Sequence, residues 1–140
     1  MRLRLIREGI WQVWGICNSR GEDPISSFDP SEAELIRILA LLDQITANER
    51  GPAVLPDNRN HAVCDNPKIL QLTVHPARLL YVFDGQKVIV LCHVFEKKGG
   101  KTQKTRASDV EVAVRRLNEY RAAKAAGQIE RDTGESDGND

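Results

Sequence analysis

Arg78-Leu79-Leu80-Tyr81-Val82-Phe83-Asp84-Gly85-Gln86-Lys87-Val88-Ile89-Val90-Leu91-Cys92-His93-Val94-Phe95 decides the fold, because two apolar runs rich in β-branched and aromatic residues flank a short polar break. Asp-Gly at such a break is a strong hairpin signal, since a tight turn needs residues that tolerate positive φ. A two-residue loop at Asp84-Gly85 predicts a register with Phe83 opposite Gln86, Tyr81 opposite Val88 and Arg78 opposite Leu91. Side chains alternate along a strand, so Arg78, Leu80, Ile89, Leu91 and His93 are predicted to share one face. Leu79, Tyr81, Val88, Val90, Cys92 and Val94 share the other, which reads as core. Arg78 and His93 become diagonal neighbours across the hairpin.

Upstream, Leu70, Leu72 and Val74 alternate with Gln71 and Thr73, which predicts a strand over 69–74, with a turn at His75-Pro76-Ala77. Residues 51–68, with Gly51, Pro52 and Pro56, read as a long loop. Before it, Ser31 and Glu34 form a capping box ahead of Leu35, Ile38, Leu39, Leu42 and Ile45, so a helix is predicted over about 31–48. Ile10–Cys17 reads as a first strand and 18–24 as a turn. Downstream, Ser108 and Glu111 suggest a second capping box. Val110, Ala113, Val114, Leu117 and Tyr120 then recur at helical spacing to about Ala126. The result is an α+β protein: an antiparallel-rich sheet packed against one helix from the N-terminal half and one C-terminal helix. It is expected to form one domain over 1–127, followed by an acidic disordered tail at 128–140.

Zero net charge over 140 residues conceals a segregation of charge. Residues 1–96 carry ten Lys or Arg against twelve Asp or Glu, 97–124 carry nine against three, and 125–140 carry one against five. An acidic tail therefore masks a basic segment, and could shield it as an internal mimic of an anionic ligand. No stretch approaches a membrane span, and the N-terminus lacks the continuous apolar run of a secretory signal, so a cytoplasmic protein is expected. Cys17, Cys64 and Cys92 are isolated and read as reduced thiols. His61, His75 and His93 lack metal-ligand spacing, so neither a metal nor another cofactor is expected.

Lys97, Lys98, Lys101, Lys104 and Arg106, around Gly99-Gly100, have the composition of a phosphate-contacting loop and equally that of a solvated charge run. Arg78 lies in an otherwise apolar strand, where a guanidinium needs a partner, a groove or an edge. His93, in a similar setting, reads first as a hydrogen-bonded core histidine, and Tyr120 as a packing residue. Residue spacing alone ends at a small α+β domain with a basic patch.

The run from Arg78 to Gly85, then Val88 to Lys98, then Lys101-Thr102-Gln103-Lys104-Thr105, resembles the phage-derived, HigB-like branch of the RelE/ParE toxin superfamily. Glu111, Ala113, Arg115, Arg116 and Tyr120 match that branch's final helix, and the likeness extends loosely over residues 10 to 124. It implies a ribosome-dependent mRNA endonuclease, the toxin of a type II toxin–antitoxin pair, needing no metal. The RNA's own 2′-hydroxyl attacks the neighbouring phosphate in such enzymes. Arg78, His93 and Lys98 would then be catalytic, with Lys97, Lys101, Lys104, Arg106, Arg115, Arg116 and Tyr120 binding RNA. Implied partners are a helix-turn-helix antitoxin and mRNA on the ribosome. The chain departs from the branch at Gln71-Leu72-Thr73, where E-L-R is common, and at Arg106, where a proline is usual. A catalytically silent nucleic-acid- or protein-binding module is the main alternative. A gyrase inhibitor of the ParE kind is another.

Overall fold

The hairpin is present, with a longer turn than the Asp-Gly pair suggests. In the computed structural model, which describes residues 1–97 and 105–134, β5 (Ala77–Phe83) pairs antiparallel with β6 (Val88–Glu96). Asp84 N donates to Val88 O at 3.0 Å, leaving Gly85, Gln86 and Lys87 as the loop. Both Gly85 (φ 85°) and Lys87 (φ 58°) are left-handed. The left-handed residue invisible to the sequence reading is Lys87, because a lysine gives no turn signal.

The predicted register shifts in consequence. Phe83 faces Ile89 and Tyr81 faces Leu91, but Leu80 faces His93 and Arg78 faces Phe95. Cys92 is the extra residue of a β-bulge, which reverses the inward and outward parity of the strand beyond it. The predicted face assignment is therefore corrected near the turn. Ile89 and Leu91 join Leu79, Tyr81 and Val94 in one core, and Val90 and Cys92 join Leu80, Val82 and Phe95 in the other. Beyond the bulge the predicted relation is present: His93 and Arg78 occupy one face as diagonal neighbours.

Around the hairpin the sheet has seven strands in the order β3-β4-β5-β6-β2-β1-β7. The others are β1 (Arg2–Glu8), β2 (Gln12–Ile16), β3 (Asn60–Asp65), β4 (Lys68–Val74) and β7 (Glu130–Asp132). β2–β6 and β1–β7 are parallel, and the remaining pairs are antiparallel. Two long helices cover the two faces: α2 (Glu32–Thr46) and α3 (Ala107–Ala125), with a short α1 (Pro24–Phe28) between β2 and α2. Ile38, Leu41, Leu42 and Ile45 of α2 pack with Leu72, Leu79, Tyr81 and Leu91. Ala113, Leu117 and Tyr120 of α3 pack with Leu80, Val82, Val90 and Phe95. Each such fully buried aliphatic side chain contributes about 1.5–3 kcal/mol by leaving water.

Ser31 caps α2 as its sequence suggests: its hydroxyl accepts from Glu34 N at 3.2 Å, and the Glu34 carboxylate accepts from Ser31 N at 3.1 Å. The expected Ser108–Glu111 box is corrected. α3 starts two residues earlier, with Arg106 at the N-cap and no side-chain cap bond, so Asp109 falls in its first turn. Three strands were also not anticipated. β1 alternates Arg2 and Arg4 with Leu3 and Leu5; β3 lies in the expected 51–68 loop; β7 lies in the expected tail. Residues 135–140 of that tail lie outside the described residues.

Candidate functional site

Arg78 stands second in β5, between Thr73 of β4 and Phe95 of β6, on the α3 side of the sheet. It is 8% exposed. Among the described residues its side chain makes one hydrogen bond, from Nη1 to the adjoining Ala77 carbonyl at 3.2 Å, and pairs with no carboxylate. Burial lowers its pKa, but from so high a reference that the group stays charged. A desolvated guanidinium without an anion is costly to the fold, and its unused N–H groups are suited to a phosphate or another oxyanion.

Diagonally across the strand pair lies a four-residue cluster. His93 Nε2 is 2.9 Å from Asp109 Oδ1, and Arg106 Nε donates to Asp109 Oδ2 at 2.8 Å. The imidazole stacks on Phe95, with ring centroids 5.4 Å apart and planes inclined by 20°. Arg106 lies over the same ring, its Cζ 5.7 Å from the centroid. Burial holds the His93 pKa below its usual value, assisted by the Arg116 and Arg106 charges and opposed by Asp109. The ring is accordingly neutral at pH 7. With Nε2–H donated to Asp109, the lone pair sits on Nδ1, the arrangement of a proton acceptor backed by a carboxylate.

Next to this cluster, Gln71 of β4 is 2% exposed and accepts from Thr105 Oγ at 2.6 Å. Its Nε2 lies 3.3 Å from Thr73 Oγ1. Register places Gln71 beside Leu80 and Thr73 beside Arg78, so both stand on the face that carries Arg78 and His93. The segment leading into α3 is thereby tied to the sheet where Arg78 and His93 stand.

The structure brings Arg78, His93 and Arg106 together on this face. Lys97 follows β6 directly, its N–H donating to Pro76 O at 3.1 Å. Lys98, Lys101 and Lys104 lie outside the described residues. Arg115 is exposed on α3. Arg116 reaches the sheet instead, donating from Nη1 to the carbonyl of the bulged Cys92 at 3.0 Å. Tyr120 is placed apart from Arg78: it is 2% exposed and donates its hydroxyl to Asp84, beside the hairpin turn, where Lys124 also binds that carboxylate at 2.8 Å.

Asp109 and Thr105 were not identified from sequence. Asp109 is legible only once α3 starts at Ala107, because Arg106 and Asp109 then have the i, i+3 spacing of a helical ion pair. Among the described residues, no three His, Cys, Asp or Glu side chains are grouped to hold a metal ion. No helix among them is long and apolar enough to cross a membrane.

A family model described as phage derived protein Gp49-like (DUF891) matches residues 24–118, from α1 through most of α3. The match includes Arg78, His93, Arg106 and Asp109. A search of curated proteins finds no match to the chain.

Proposed function

The chain belongs to the phage-derived Gp49-like family, which sits broadly within the RelE/HigB-like toxins, and from that premise we propose that it is an mRNA interferase, the toxin of a type II toxin–antitoxin pair. The observation that carries this reading is the buried Arg78 guanidinium without a carboxylate partner among the described residues, on the same sheet face as the His93–Asp109 pair. In the proposed reaction a ribose 2′-oxygen bonds to the adjacent phosphorus and the P–O5′ bond breaks, leaving a 2′,3′-cyclic phosphate and a 5′-hydroxyl. Neutral His93 takes the 2′-hydroxyl proton on Nδ1, with Asp109 stabilising the imidazolium that forms. Arg78 binds the phosphoryl oxygens as their charge grows, the type of contribution commonly worth about 2.7–4 kcal/mol of barrier. Lys98 is assigned charge stabilisation or the leaving-group proton. Lys97, Lys101, Lys104, Arg106 and Arg115 are assigned to the RNA backbone.

The partners in this reading are mRNA on the ribosome and a helix-turn-helix antitoxin, in the cytoplasm. Induction of wild type and Arg78→Ala in a host without the antitoxin, with mRNA 5′ ends mapped, tests it. Growth arrest with new 5′ ends that vanish in the variant is the expected result. Normal growth with intact mRNA, while folded wild-type protein accumulates, would overturn it. One observation favours a binding module without cleavage: the amide of Gln71, engaged by Thr105, stands in the segment where the toxins it resembles commonly carry E-L-R. That reading predicts RNA binding with no new 5′ ends.

A further inference from the structure

Across the sheet from α3, a cleft of 540 Å³ opens between α2 and the end of β4. Arg37, Leu41 and Gln44 line it from α2, Arg59 from the segment leading into β3, and Val74 and His75 from β4 and its end. No carboxylate is among its lining residues. Among the described residues, neither the Arg37 nor the Arg59 guanidinium makes a hydrogen bond or a salt bridge; Arg37 only contributes a coulombic attraction to Glu34. Two cations therefore face an apolar floor that includes buried Leu41. A phosphate suits the first feature and a planar base the second.

The cleft adjoins the candidate site through backbone pairing. Thr73 N donates to Arg59 O at 2.9 Å, and Thr73 is the register partner of Arg78. A strand whose phosphate rests on Arg78 can pass around the end of β4 into this cleft. We infer that the cleft is a second nucleotide subsite for single-stranded RNA, with Arg37 and Arg59 on its phosphates. This rests on the reading of the protein as one that acts on RNA.

The test measures binding of a fluorescent 2′-O-methyl RNA oligomer, which lacks the attacking hydroxyl, by anisotropy over a range of salt concentrations. Arg37 is exposed and Arg59 half-buried, so the double variant Arg37→Ala/Arg59→Ala keeps the fold, checked by circular dichroism. Arg121→Ala, on α3 across the sheet, is the control. The double variant is expected to bind about tenfold more weakly at low salt, with a salt slope smaller by about 1 to 2. Arg121→Ala should change affinity less than twofold, and Arg37→Lys/Arg59→Lys should restore the slope. Unchanged affinity in the double alanine variant, or an equal loss in Arg121→Ala, would overturn the subsite. Displacement of the RNA by polyglutamate as readily as by unlabelled RNA would overturn it in favour of an acidic protein segment. Cleavage of unmodified mRNA on ribosomes by wild type is read in parallel. Affinity lost without any wild-type cleavage leaves the subsite and removes the enzyme; cleavage with unaltered affinity does the reverse.

Discussion

Arg78 and His93 are two residues whose burial works against their own charge, and each gives a measurable consequence. Replacing the Arg78 guanidinium with an apolar side chain of similar length removes a buried charge that no described carboxylate offsets. Arg78→Met is expected to raise stability by about 1–2 kcal/mol in urea denaturation while lowering cleavage at least about 100-fold. A loss of stability would mean that the charge is compensated. The folded-state pKa of His93 lies below its reference value of 6.5. Between those two values the unfolded chain binds more protons than the folded one, so unfolding free energy rises with pH through that window and is lost as pH falls below about 6.5. His93→Phe should flatten that slope, and Asp109→Asn should push the His93 titration lower still in an NMR experiment. Arg78 and His93 were legible from sequence as polar residues inside apolar strands. Asp109 and Thr105 were not, because a partner fixed by where a helix starts and how a loop returns has no local signature.

Among the elements, the bulge at Cys92 determines where His93 points. If Cys92 took a regular place in the ladder, parity would turn His93 toward α2 and away from Asp109; the bulge absorbs that residue. Deleting Cys92 removes that extra residue, so His93 follows Leu91 directly and stays opposite Leu80 on the α3 face. The deletion is expected to keep the His93 ring proton bonded to Asp109 in an NMR experiment, as is Cys92→Ala, and to cost about 1–3 kcal/mol for the lost core thiol and the Arg116 bond to its carbonyl. Loss of the ring-proton signal in the deletion would contradict the bulge assignment. The sequence shows the strands themselves through β-branched and aromatic residues, but a bulge residue such as Cys92 looks like any other core residue. The hairpin turn shows the same limit. Asp84-Gly85 marks the place correctly, while the left-handed Lys87 lengthens the loop without any compositional sign. Asp84 meanwhile accepts from Tyr120 and Lys124, which gives a residue read as turn-forming a second role in docking α3. β3 was hidden for a different reason: Asn60–Asp65 is an edge strand of mixed polarity, and only its pairing with β4 makes it extended.

For the molecule as a whole, β7 changes what the acidic tail can do. Glu130 N donates to Met1 O at 2.8 Å, and Arg4 binds Asp132 at 3.3 Å, so residues 130–132 are held at the sheet edge beyond β1. From there to β5 is four strand spacings, roughly 19 Å, and Arg78 lies about four residues, or roughly 13 Å, further along the strand direction. Residues 130–132 therefore lie far from Arg78, whereas the expected shielding of the basic segment over 97–124 turns on residues outside the described ones. Removing 135–140 is expected to leave stability unchanged, because the bonds that hold β7 lie within residues 130–132. Removing 128–140 should cost about 2–4 kcal/mol, because it strips those bonds and the packing of Ile129. Shielding of the basic segment by the tail predicts a tighter RNA complex at low salt after the 128–140 deletion, and unchanged affinity would sink it.

The parallel pairing of β2 with β6 joins residues 12–15 to 88–91, whereas β3, β4, β5 and β6 are joined by short connections in sequence order. Closing that seam requires the intervening chain to be gathered first, an entropic delay absent from the hairpins. Folding should therefore proceed in two stages, with the meander that carries Arg78 and His93 assembling before β1 and β2 dock. Pulse-labelled hydrogen exchange would register protection of Leu79–Val82 amides ahead of Val13–Gly15; the opposite order would exclude this sequence of events. The surface proposed to meet RNA would then take shape while half of its supporting sheet is still unpaired, a window in which a partner binding only the meander could intercept the protein before it matures.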